Sequence, residues 1–102
     1  MFGTVARLKV KPGKGEELLA HGEKWSRERG SVSGEVASYL FKLEGRQEEY
    51  LLVGIFKDRE AYFDNANHPD TDRLYREMRE LLESDPEWND GEVMELPVVA
   101  GI

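Results

Sequence analysis

Apolar positions recur along the chain with two different periods, and the changes of period mark its elements. From Phe2 to Val10 every second residue (Phe2, Thr4, Ala6, Leu8, Val10) falls on one face, the alternation of a half-buried strand. Pro12-Gly13 breaks it. A helix is predicted from about Lys14 to Arg29, with Leu18, Leu19, Gly22 and Trp25 on its apolar side and Gly30 where a C-terminal cap belongs. Ser31 to Gly34 reads as a loop, Glu35 to Leu43 as a second strand, the polar stretch around Gly45 as a hairpin turn, and Glu48 to Phe56 as a third strand.

Asp58 is placed to cap a short helix through Tyr62 and Phe63. Asn67-His68 interrupts it, and Pro69 suits the first turn of a new helix. There Leu74, Tyr75, Met78, Leu81 and Leu82 follow the helical period, and Asp85-Pro86 closes it. Glu92 to Leu96 is read as the last strand, followed by the apolar tail Pro97 to Ile102. The order is βαββαβ with a broken second helix: an α+β, ferredoxin-like domain with an antiparallel sheet, a single domain over residues 1–102.

In this architecture both helices cover one face of the sheet, so strands facing water on the other should alternate strictly. Tyr50 to Phe56 is apolar or neutral on both faces. On the second strand Ala37, Tyr39, Phe41 and Leu43 share one face, Val36 and Leu40 the other. A second copy of the sheet is the simplest cover, and the tail pair Val98-Val99 adds apolar surface with no obvious place in a monomer. A homodimer is the expectation.

Composition narrows the function classes. The formal net charge is -7, from 21 acidic and 14 basic residues, and no Lys/Arg cluster stands out, which argues against nucleic acid and anionic membrane surfaces. No apolar stretch approaches the ~20 residues needed to span a bilayer. With no cysteine, disulfides, thiol nucleophiles and Cys-ligated metals are excluded. The absence of a basic and apolar leader at Met1-Phe2-Gly3-Thr4 leads us to expect a cytoplasmic protein. Dinucleotide, P-loop and nucleophile-elbow motifs are absent.

Among residues able to do chemistry, His68 is the first candidate for catalysis, because a near-neutral imidazole can take a proton from a phenol or hydroquinone. His21 is a weaker candidate. Trp25, Tyr39, Phe41, Phe56, Tyr62 and Tyr75 form an aromatic set suited to a flat ring, and Asn65, with Asn67, could orient a substrate oxygen. Each has an ordinary alternative in core packing or in turns and caps. Arg73 and Arg76 could face an anion, although helix-surface arginines usually meet water. One His among Asp64, Asp70 and Asp72 is not a metal-ligand signature, and no metal site is expected.

The opening VARLKVKPGKGEELL, the segment FKDREAYFDNANHPDTDRLYREM and the closing EWNDGEVMEL together resemble the antibiotic biosynthesis monooxygenase-like family, over nearly the whole chain. The resemblance implies a dimeric α+β barrel with a pocket between sheet and helices in each subunit. It also implies a monooxygenase acting without metal or organic cofactor on an aromatic or quinol-type small molecule. A haem-degrading branch carries an Asn on the first strand, a Trp before the second helix and a His within it. Here Phe2 to Val10 holds no Asn, Phe56 stands where the Trp would be, and His68 precedes Pro69. The other reading is a dimer that binds a small molecule or haem without catalysis.

Overall fold

The computed structural model describes residues 1–97. Its elements are β1 (Phe2–Lys9), α1 (Gly15–Trp25), β2 (Glu35–Lys42), β3 (Glu49–Phe56), α2 (Arg59–Ala66), α3 (Pro69–Arg79) and β4 (Glu87–Glu92). The strands form one antiparallel sheet in the order β2-β3-β1-β4, the topology of the predicted ferredoxin-like α+β fold. Thr4, Ala6 and Leu8 of β1 face the helices and are buried, as the alternation predicts. Ala6 and Leu8 form a core with Leu18 of α1, Tyr50 of β3, Met78 of α3, Val10 and Leu82. Each fully buried aliphatic side chain contributes about 1.5–3 kcal/mol over its exposed state.

Local chemistry sets the element ends. The Asp58 carboxylate accepts the Ala61 N–H at 2.8 Å and caps α2. His68 is extended (φ -77, ψ 137), as the residue before a proline should be, and Pro69 opens α3. Past Trp25 the first helix continues as a wider π-type turn, Ser26–Gly30. Gly3 is required by a close approach: a Cβ there would collide with the backbone carbonyl of Gly54 on β3.

Two sequence expectations are corrected. The helix predicted to reach Asp85 ends at Arg79, because the next residues pair with the end of β1 through Lys11 N–H to Leu81 O (2.9 Å) and Glu83 N–H to Lys9 O (2.9 Å). The last strand is Glu87–Glu92, not Glu92–Leu96. It lies along Phe2–Arg7 as a polar edge strand, so backbone pairing rather than apolar alternation defines it. The pair Val98-Val99 lies outside the described residues.

No described element covers the sheet face away from the helices. Tyr39 and Phe41 are 56% and 54% exposed there, next to Val5, Leu51, Val53 and Ile55. Among the described residues no helix is long and apolar enough to cross a membrane.

Candidate functional site

A cavity of about 800 Å³ lies between the sheet and the helices. Its apolar wall includes Leu8, Leu40 and Leu52 from the sheet and Leu18 and Met78 from the helices. That volume suits a multi-ring organic molecule.

Of the residues singled out in the sequence, Trp25, Phe56, Tyr62, Asn65 and Tyr75 all stand on this wall. Trp25 meets His21 edge-on at 5.8 Å between ring centroids. Tyr62 packs edge-on against Phe56 at 5.4 Å and donates its hydroxyl to Asp90 Oδ1 at 2.7 Å. Burial raises the Tyr62 pKa and the bond to Asp90 raises it further, so the phenol stays neutral and serves as wall rather than base.

Asn65 is buried on α2, with a defined orientation. Its Oδ1 accepts from Arg29 Nε (3.2 Å), Arg29 Nη2 (3.1 Å) and Thr71 Oγ1 (3.0 Å). A guanidinium has only donors, so the carbonyl oxygen must be the atom facing it. The amide NH2 is thereby turned away from Arg29, with no partner among the described residues.

Three expectations are not met. His68 lies outside the large cavity, on the wall of a smaller polar one of about 390 Å³. Its Nδ1 accepts the Asp70 N–H at 3.0 Å, which makes it the cap of α3. A neutral imidazole accepting at Nδ1 carries its proton on Nε2 and has no lone pair left for a substrate. Phe41 is not on the cavity wall. Tyr39 borders the cavity, but its pairing with Val53 puts its ring on the opposite, open face. Of the other polar candidates, Arg76 pairs with Asp72 at 2.9 Å and Arg73 with Glu28 at 3.0 Å.

Two wall residues escaped sequence reasoning. Trp88, on β4, faces the helices opposite Ala6 and lies 6.1 Å from the Tyr75 ring. A strand assigned a few residues late hid it. Glu35, at the start of β2, is half-buried with no hydrogen-bond or ion-pair partner among the described residues. Desolvation raises its pKa above the ordinary carboxylate value. In sequence Glu35 shares the parity of Ala37, Tyr39 and Phe41. An irregularity between Glu35 and Ala37 leaves Glu35 opposite buried Phe56 and Ala37 opposite Ile55, reversing its face. No signal in the sequence marks that slip.

The cavity's histidine is His21, with its side chain 10% exposed and Nε2 3.2 Å from Glu77 Oε1. Its Nδ1 is buried, with no partner among the described residues. Nε2 is engaged by Glu77 and Nδ1 presents no accessible surface to the cavity, so the residues here do not fit a haem with an axial imidazole.

Fold and cavity together define a small domain of the ferredoxin-like α+β class with a cavity between sheet and helices. The chain belongs to the antibiotic biosynthesis monooxygenase family, whose model matches residues 1–80. Among solved structures it is similar to a conserved protein from Methanosarcina mazei, at 18% identity and a TM-score of 0.78, covering 88% of this chain and 89% of that one. It is also similar to a candidate antibiotic biosynthesis monooxygenase from Caulobacter crescentus, at 17% identity and a TM-score of 0.81, covering 92% and 90%. SnoaB, a cofactor-independent oxygenase from Streptomyces nogalater, matches at 15% identity and a TM-score of 0.81, covering 93% and 94%. At these identities the likeness is one of fold. No curated protein matches the sequence.

Proposed function

We propose that this protein is a cofactor-independent monooxygenase acting on an aromatic, phenolic small molecule held in the 800 Å³ cavity. The observation that carries the reading is the joint presence of an aromatic, largely apolar wall and one oriented polar group, the Asn65 amide. Family membership and the fold shared with a cofactor-independent oxygenase support it.

In this reading Trp25, Phe56, Tyr62, Tyr75 and Trp88 hold the ring system, and the Asn65 NH2 donates to the substrate oxygen that becomes anionic. Loss of the hydroxyl proton gives an anion that passes electrons to dioxygen directly. For a ring carbon bearing two hydrogens the change is CH2 + O2 → C=O + H2O. The carbon loses the four electrons that dioxygen gains, and no outside reductant enters. The working unit is a homodimer whose open sheet faces pack together, and the absence of cysteine supports a reducing, cytoplasmic setting.

The test uses 1,8-dihydroxyanthrone as probe, with oxygen uptake measured in chelator-treated buffer. Wild type is compared with Leu52→Trp, which fills the cavity. Uptake above the buffer rate that disappears in Leu52→Trp supports the reading. Tight binding of the probe without uptake would instead favour a non-catalytic binding protein.

A further inference from the structure

The cavity wall carries four acidic side chains, and their surroundings separate them. Asp90 is engaged by the Tyr62 hydroxyl at 2.7 Å, and Asp72 by Arg76 at 2.9 Å. Glu23 is exposed to solvent. Glu35 alone is withdrawn from solvent with nothing to neutralise it among the described residues. It sits in a corner built by glycines: a Cβ on Gly30 would stand 3.9 Å from one carboxylate oxygen, and a Cβ on Gly54 3.9 Å from the other. Gly34 before it, with φ +77, packs under Ala61 of α2 and turns the chain into β2.

A carboxylate withdrawn from water without a donor costs folding free energy. A ligand that brings its own hydroxyl supplies the missing donor. His21 offers no such acceptor, since Nε2 is held by Glu77 and the Nδ1 lone pair is sealed inside the protein.

We propose that the Glu35 carboxylate receives the phenolic or enolic hydroxyl of the cavity's ligand and, during turnover, takes its proton. The O–H bond breaks toward oxygen, its electron pair stays on the substrate as the phenolate or enolate, and Glu35 becomes the neutral acid. The turnover part rests on the oxygenase reading above; the hydroxyl contact does not.

Two arms test it. In the binding arm, 2-naphthol and its methyl ether are titrated into wild type and Glu35→Leu. A hydrogen bond to a charged acceptor predicts about tenfold tighter binding of the naphthol to wild type, and loss of that preference in Glu35→Leu. Equal affinities in wild type, or a preference that survives in the variant, would overturn the contact. In the kinetic arm, Glu35→Gln should lower kcat for 1,8-dihydroxyanthrone by about 100-fold or more with little change in KM, and the defect should shrink as ring chlorination makes the substrate more acidic. A defect independent of substrate acidity, or none, would overturn the proton transfer. If wild type consumes no oxygen, the oxygenase reading and the turnover step fall together, and the naphthol comparison still decides the contact.

Discussion

At the scale of single residues, the cavity sets Glu35, without a partner among the described residues, beside an apolar wall, and that placement has a stability cost with a definite pH dependence. Its folded-state pKa lies above the ordinary carboxylate value of 4.5, the reference for the unfolded chain. Below that value the side chain is neutral in both states and costs nothing through its charge. As pH rises through the raised folded value the unfolded chain ionises more readily, and native stability falls. Glu35→Gln should therefore raise the thermal midpoint at pH 7.5 and leave it unchanged at pH 4, as scanning calorimetry at both values would show. A variant more stable yet less active is the expected signature of strain held at a working site. Asn65 differs in that three donors fix its carbonyl, which sets the direction of its NH2.

At the scale of elements, the break between α2 and α3 is made by chemistry that the sequence states openly. Asp58 and Pro69 were readable as a cap and a first-turn residue, and both are. For His68 the sequence offers both a catalytic base and a residue at a helix start. Which of its nitrogens meets which group depends on the backbone turning at Pro69, and the result is a cap at 3.0 Å rather than a base in the cavity. Replacing it by alanine should lower unfolding free energy by about 1 kcal/mol and leave the affinity for 2-naphthol unchanged, checked by urea denaturation and titration of the same sample. Loss of ligand affinity without loss of stability would restore His68 to the site. The polar strand β4 shows why element boundaries fail to appear in a pattern: an edge strand held by backbone pairing needs no apolar period.

At the scale of the whole molecule, the sheet face away from the helices is an apolar surface that no described element covers. Val5, Tyr39, Phe41, Leu51, Val53 and Ile55 form an apolar sheet surface with none of the described elements over it. A self-complementary contact of two such faces would bury it. If the proposed homodimer forms through this face, Phe41→Glu should leave a monomer in analytical ultracentrifugation and lower the thermal midpoint. A wild type that sediments as a monomer at all concentrations would remove the dimer from the reading. Tyr39 and Phe41, expected as pocket walls, belong to this surface instead.

The sequence by itself determined the βαββαβ order, the helix-facing residues of β1, the cap and proline that split the second helix, and the aromatic side chains that came to line a cavity. These follow from periodicity and local backbone chemistry, which act over a few residues. The tertiary structure alone decided which side of the sheet each wall residue serves. One irregularity before Ala37 turned Glu35 inward while Tyr39 and Phe41 stayed outside, and register against β1 brought Trp88 over Tyr75. Sheet pairing has a period of two, so a one-residue slip inverts every assignment beyond it, and only the partner strand records the slip.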